Sequence, residues 1–375
     1  MTSPFLATHH DPTRISLIIR HLRPSSRRPL STTLSAPARP IPVPLGPPIS
    51  NPIPTTPTCP PSGCACAEMP SGLDIDHERP MGGTMPPYAQ HVVVRTGRDD
   101  WGGKIEEEEA GVLGTGVNLA RSLKGLVGRG GRFYDPERPI LITNSSLPAN
   151  ANSNYTSVHV FPQHVHVPRI PHTPEGHEAF VRQFIGSKSY MTEMMQAKRA
   201  AQKAEAKVSP TDVLKSKEDP GAHNMRLNYT RNTSPTILIC GHNSRDTRCG
   251  ILGPLLRAEF NAYVGGRTQL PADDERSTGF RFNGLAPVSP IGASRVALTS
   301  HIGGHAFAGN VIIYLPKNFK LASGRVSPLA GMGIWYGRVE PRHVWGIMEE
   351  TVQRGHVIKE LLRGIHNPGS MGGQS

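Results

Sequence analysis

Residues 91–97 read HVVVRTG, a β-branched run closed by glycine, which predicts a strand. Val117, Leu119, Ala120, Leu123, Leu126 and Val127 recur near helical spacing and predict an amphipathic helix over 117–127. ILITNSS at 140–146 predicts a second strand, and the alternation in SVHVFPQHVHV at 157–167 predicts at least one more. A helix over 174–185 follows, with Thr173 placed to cap it ahead of Pro174. Beyond a polar, Lys-rich stretch with one predicted helix in MTEMMQAKRAAQKAEAK, the order returns in outline. TILIC (236–240) predicts a strand and 250–260 a helix, and RVALTS (295–300), NVIIYLP (310–316) and GIWYGRV (332–338) predict three further strands. A helix over 341–353 and a short one over 357–363 close the pattern, which is that of an α/β protein built from two successive units of similar order.

Composition moves the start of folded structure to a late position. The chain has 375 residues, of which 37 are Pro, 39 are Gly and only 37% are hydrophobic. Much of the proline lies early, and 36–61 has no periodicity, which predicts an extended, unstructured leader with folding beginning near Tyr88. The resulting division is a leader over 1–50, a Pro-rich, Cys-containing segment over 51–87, a first unit over 88–186, a polar linker or insertion over 187–234, a second unit over 235–366 and a disordered tail over 367–375.

The net charge of +12 raises the question of nucleic acid, but its distribution argues against that partner. Arg14, Arg20, Arg23, Arg27, Arg28 and Arg39 face the single acid Asp11 in the first fifty residues. This Arg-rich, Ser-rich, acid-poor stretch with an apolar stripe at Ile15, Leu17, Ile18, Ile19 and Leu22 has the character of a mitochondrial transit peptide. Elsewhere no run interleaves basic and aromatic residues as a single-strand platform would. No apolar run approaches the roughly 20 residues needed to cross a bilayer, so no membrane insertion is expected.

The candidate chemistry lies in two short stretches. Cys240 ends a predicted strand and Cys249 opens a predicted helix, joined by the loop GHNSRDTR. Such loops and helix N-termini stabilise thiolates through their backbone N–H groups. His301 and His305, in HIGGH, directly follow a strand, and Gly303 and Gly304 allow a sharp bend that turns both imidazoles to one point. Zinc in a Cys2His2 site commonly has cysteines two to four residues apart, whereas eight residues separate these two. That spacing suits a wider object such as a [2Fe–2S] cluster, with two thiolates on one iron and two imidazoles on the other. A structural zinc site and an unliganded buried thiol pair remain alternatives at this stage.

CGHNSRDTRCGILGPLL, SHIGGHAFAGNVIIY, GIWYGRV and HVIKELLRG, together with CPPSGCACAEMPSGLDID, PYAQHVVVRTGRDDW and ILITNSS nearer the N-terminus, resemble the sucrase/ferredoxin-like family, most closely its fungal members. The resemblance covers about residues 59–365. It implies two tandem thioredoxin-like units, the second a thioredoxin-like ferredoxin domain, with Cys240, Cys249, His301 and His305 as the bis-histidinyl ligands of a [2Fe–2S] cluster. The implied function is mitochondrial electron transfer or redox sensing in redox homeostasis, with an unidentified protein as electron donor or acceptor and no defined catalytic reaction.

Arg245, Asp246 and Arg248 in the ligand loop, with Trp335 and Tyr336, are candidates for tuning such a centre, either through hydrogen bonds or as loop and core residues. Cys59, Cys64 and Cys66 form a C-x4-C-x-C group that offers a second possibility, a thiol oxidoreductase. The run Glu106 to Glu109 reads as a solvated charge face, and GLVGRGGR (125–132) as a turn, since it follows a helix and lacks the GK[ST] ending of a phosphate loop.

Overall fold

Ten strands join in one mixed sheet in the computed structural model, which describes residues 52–63, 65–109, 117–186, 225–266 and 294–368. The elements in chain order are β1 (Thr55–Thr56), β2 (Gln90–Arg95), α1 (Leu119–Val127), β3 (Ile140–Ser145), β4 (Tyr155–Phe161), β5 (Val165–Pro171) and α2 (Pro174–Phe180), which continues in wider turns over Val181–Ile185. There follow β6 (Thr230–Arg231), β7 (Thr236–Cys240), α3 (Thr247–Val264), β8 (Arg295–Thr299), β9 (Val311–Tyr314), β10 (Gly333–Tyr336), α4 (His343–Ile347), its wider continuation over Met348–Arg354, β11 (Val357–Ile358) and β12 (Leu362–His366). The sheet order is β12-β10-β9-β7-β8-β3-β2-β4-β5-β6.

Local chemistry explains most of these elements. Every residue of β7 is buried, so TILIC reads as an unbroken apolar run rather than an alternating one. Asn118 caps α1 by accepting from the Arg121 N–H, and Leu119, Ala120, Leu123 and Val127 form its buried stripe. Thr173 caps α2 by accepting from the Gly176 N–H at 3.1 Å, with Pro174 in the first turn. The alternation over 157–167 resolves into two paired strands, β4 and β5.

The same strand arrangement occurs twice. β2 lies parallel to β3 and antiparallel to β4, which pairs antiparallel with β5. β7 lies parallel to β8 and antiparallel to β9, which pairs antiparallel with β10. The two sets meet at β3 and β8, where Ser145 stands opposite Thr299. Around that pair the bonding is nearly two-fold. The Ser300 hydroxyl accepts from the Asn144 N–H at 3.0 Å, and the Ser146 hydroxyl accepts from the Leu298 N–H at 2.9 Å. The Ser300 and Ser146 N–H groups donate to the carbonyls of Asn144 and Leu298.

Three expectations are corrected. Residues 52–61 are not an unstructured leader: β1 pairs parallel with β11, and Ile53, Cys59, Met69 and Leu73 pack against the core. This strap uses sheet edge and apolar contact, neither of which requires a periodic sequence. Residues 357–363 form no helix, because Val357 and Ile358 pair with the strap and 362–366 pair with the free edge of β10. Glu108 is no solvated charge. Its side chain is buried and accepts from Arg98 and from the Gly102 N–H, both at 2.9 Å, while Glu106 and Glu107 pair with Lys124 and Lys104. The stretches 1–51 and 369–375, the helix expected within 191–207, and Cys64 lie outside the described residues.

The buried interior holds several neutral histidines. Burial pushes His91 down to about 3 and His159 to about 2, with His366 and His166 respectively as the next contribution. His164, His166, His177 and His366 are each pushed down to about 4, again chiefly by burial. All lie below the ordinary value of 6.5, so the unfolded chain binds more protons as the pH falls. Their contribution to stability is therefore complete above about pH 6.5 and is lost as the pH falls below it, down to about 4 for most and to about 3 and 2 for His91 and His159, at up to about 1.4 kcal/mol per pH unit for each histidine. Urea titrations across that window should show the midpoint falling steeply, and His91→Gln should reduce the slope; a flat profile would contradict the buried neutral assignment.

Candidate functional site

The ends of two parallel central strands converge at one side of the seam. Cys240 is the last residue of β7, and His301 follows β8 by two residues, so the pairing of Cys240 with Thr299 brings the two segments together. Helix α3 then returns Cys249 to the same place. It lies so close to β7 that a Cβ at Gly253 would stand 2.6 Å from Gly241 Cα and 2.7 Å from the Cys240 carbonyl oxygen. Only a glycine admits that approach.

Both cysteines are free and buried. Cys249, the His301 side chain and the His242 backbone N–H are the neighbours that act on the Cys240 sulfur. These contacts, Cys249 first, hold the Cys240 thiol well below its ordinary value against the opposing effect of burial. Cys249 is displaced upward, by Cys240 and by burial, in the direction opposite to its neighbour. The His301 and His305 rings stand 5.4 Å apart, tilted by 33°. His301 is half-buried, its Nδ1 buried without a partner, and His305 is exposed. Gly303 and Gly304 adopt left-handed φ values of 79° and 71°, as the bend between the two imidazoles requires. The sulfurs thus lie deep, His301 lies half-buried and His305 is at the surface. Among the described residues no three His, Cys, Asp or Glu side chains converge on a single ion position.

The neighbours of this quartet were partly legible. Arg248 is bound to Asp246 through Nε at 2.9 Å and Nη2 at 2.8 Å and donates to the Asp74 carbonyl at 2.6 Å. Asp246 also caps α3 by accepting from the Arg248 N–H. Arg248 therefore ties the helix start to the strap. Arg245 is exposed, with one long contact of 3.4 Å to the Gly103 carbonyl. Trp335 is fully buried and donates to Tyr88 Oη at 2.9 Å, and Tyr336 bonds Thr351 at 2.7 Å, a core role.

The strap cysteines lie apart from this arrangement. Cys59 Sγ donates to the His343 carbonyl at 3.5 Å, and burial, then Glu360 and Glu350, push its thiol up to about 12. A thiol so raised is a poor nucleophile near neutral pH. Cys66 Sγ bonds Ser62 Oγ at 3.0 Å.

One residue inside the quoted loop escaped notice as a functional candidate. His242 is buried, its Nε2 stands 2.9 Å from the carbonyl oxygens of both Trp101 and Gly102, and its Nδ1 accepts from the His301 N–H at 2.9 Å. These bonds fix the tautomer with the proton on Nε2. They tie the histidine-bearing loop to a loop of the first strand set, a long-range relation that no local spacing reveals. His242→Ala should cost about 2–4 kcal/mol, because an N–H and two carbonyls lose their partner in a buried place. Chemical denaturation measures this, and a cost below about 1 kcal/mol would show that the loop is held by other contacts.

Comparison with known proteins matches the sucrase/ferredoxin-like family over residues 81–364. Relatives named altered inheritance of mitochondria protein 32 include one from Debaryomyces hansenii, 29% identical over 310 residues, covering 80% of this chain and 92% of that protein. Those from Meyerozyma guilliermondii and Clavispora lusitaniae are 36% identical over 135 residues and 40% identical over 128 residues; the first match covers 36% of each chain and the second 34% of each. No solved structure matches significantly.

Proposed function

We propose that this chain, which belongs to the sucrase/ferredoxin-like family, holds a [2Fe–2S] cluster on Cys240, Cys249, His301 and His305 and serves mitochondrial electron transfer or redox sensing. The observation that carries the reading is the meeting of a buried thiol pair with His301, and of His301 with His305, in two adjacent pairs. The donor set fits the group. Two buried thiols, an orphaned imidazole nitrogen and an exposed second imidazole provide two soft and two borderline ligands. Two thiols eight residues apart and two imidazoles on a second loop suit a two-iron centre better than a single zinc ion, whose cysteines are commonly two to four residues apart. The repeated strand order supports two tandem thioredoxin-like units, 88–186 and 235–366, the second bearing the ligands.

When bound, such a cluster supplies a one-electron couple. The protein's part is to desolvate the sulfurs, to hold the histidine loop through His242, and to leave His305 at the surface where a protein partner can approach. The mitochondrial placement is supported by the acid-poor N-terminal stretch and by the names of the relatives. Among the described residues no helix is long and apolar enough to cross a membrane. A thiol oxidoreductase centred on the strap is disfavoured by the raised Cys59 thiol.

Anaerobic purification of the full chain, with iron, sulfide and zinc analysis and visible spectra before and after dithionite, tests the reading. The expected result is about two irons and two sulfides per chain, a visible band that bleaches on reduction, and an altered spectrum in His301→Cys. Zinc alone would overturn it. Because imidazole ligands retain a second ring nitrogen that exchanges a proton, the midpoint potential should fall with rising pH, approaching about 59 mV per unit where one proton accompanies the electron.

A further inference from the structure

Arg363, in β12, is buried to within 1% of its surface yet forms no ion pair with any carboxylate among the described residues. Isolated buried charges are among the most unfavourable features a fold can carry, and they persist where a counter-charge or a full set of hydrogen bonds compensates them. Both forms of compensation point to the cysteine and histidine site. Nη1 donates to the Gly303 carbonyl at 3.1 Å and to Asn310 Oδ1 at 2.7 Å, Nη2 to the Thr84 carbonyl at 2.8 Å, and Nε to Thr84 Oγ1 at 3.1 Å. Asn310 in turn donates to the Gly304 carbonyl at 2.9 Å, and its own carbonyl accepts from the Cys240 N–H at 2.9 Å. The guanidinium and Asn310 therefore hold both glycine carbonyls between His301 and His305. A side chain at Gly304 would collide with the guanidinium.

The guanidinium also lies over the Phe307 and Trp335 rings, 6.0 Å and 5.7 Å from their centroids. Through Asn310, which also takes the Cys240 N–H, the fork reaches the sulfur-bearing strand, and the sulfurs of Cys240 and Cys249, when ionised, are the negative groups that would act on it. Every acceptor it touches is neutral, so its charge is left to act on whatever negative charge the two sulfurs carry.

We propose that Arg363 is a positioning and charge-compensating residue for the [2Fe–2S] site: its fork sets the path of the HIGGH loop, and its unneutralised charge favours the reduced state of the centre. The inference rests on the cluster reading given above. A positive charge close to a redox centre in a low-dielectric surrounding stabilises the added electron.

The test uses the full chain, loaded anaerobically, as wild type, Arg363→Met, Arg363→Lys and Thr84→Asp. Thr84→Asp places beside the guanidinium the acid that it lacks while leaving the fork in place. At one fixed ambient potential and pH, the ratio of reduced to oxidised protein should fall on the order of tenfold in Arg363→Met and in Thr84→Asp, which corresponds to about 59 mV for a one-electron couple. Arg363→Lys should retain the ratio within about threefold but lower the iron content and the denaturation midpoint, since an ammonium cannot reproduce the planar fork. Iron and sulfide content and denaturation midpoints are recorded for every variant, so a misfolded Met variant leaves Thr84→Asp to decide. Loaded Met or Asp variants with an unchanged ratio would overturn the proposal. A wild type without iron and sulfide would instead overturn the cluster reading itself, and the two failures are distinct.

Discussion

The seam between β3 and β8 is one residue pair wide, Ser145 opposite Thr299, and the placement of every candidate ligand depends on it. Left apart, each strand would present an unpaired edge to water or to another chain. Joined, they bury Ser145, Thr299, Ser300 and Asn144 almost completely; the serine hydroxyls accept the N–H groups that the short ladder cannot, and the Thr299 hydroxyl donates to the Asn144 carbonyl. The ends of β7 and β8 thereby fall in the middle of the sheet rather than at a border. The cover over that point comes from the other strand set, where the Trp101 and Gly102 carbonyls meet His242. Neither set alone encloses the thiol pair.

The interior beside the seam is polar to a degree that a hydrophobic pattern does not suggest. Thr299 bonds Thr143 at 3.0 Å, Thr143 bonds His91 at 2.8 Å, His91 bonds Tyr314 at 2.9 Å, and Tyr314 bonds Tyr88 at 2.8 Å. Trp335 ends the chain on Tyr88, against which His366 stacks at 4.3 Å. Each bond in this chain joins neutral groups, and burial favours their neutral forms, so the network stiffens the junction without placing charge there. Among the described residues Arg363 is the one fully buried guanidinium, lying over the Trp335 ring, so it stands out electrostatically against this neutral background.

The parts of this architecture that were legible in the chain are those whose cause is local. β2, β3, β7, β8, β9 and β10 announce themselves as β-branched or apolar runs because buried central strands need such residues on both faces. Asn118 and Thr173 mark helix starts because a cap is satisfied within three residues. The ligand candidates were visible because each pair lies on one short loop. What escaped reading is set by partners distant in sequence. Thr55 and Thr56 form a strand only because Val357 and Ile358 lie beside them, and the same pairing, with β10 next along, overrides the helical spacing of 357–363. Glu108 is buried because Arg98 and the Gly102 N–H converge on it, although its sequence neighbours are all glutamates. His242 and Arg363 sat within the quoted motifs, yet their roles rest on contacts to residues 101, 102, 84 and 310.

The repeated strand order also shows why the candidate donors gather in one strand set and not in both. In the ladders, Cys240 opposite Thr299 occupies the place that Arg95 opposite Ser145 occupies in the first set. Cys249 is the third residue of α3, and the third residue of α1 is Arg121. Where His301 follows Ser300, Leu147 follows Ser146, and the two serines are counterparts at the seam. Two arginines and a leucine replace the thiols and the first imidazole, and an arginine neither ligates a soft metal nor gives up its proton. The first set keeps the scaffold geometry but has none of the donor chemistry. Its loop over 96–109 instead closes the second site through the Asp100 bond to Ser244 at 2.7 Å and the carbonyls on His242. One set thus carries the candidate donors and the other supplies enclosure, and the narrow seam between them keeps that division in register.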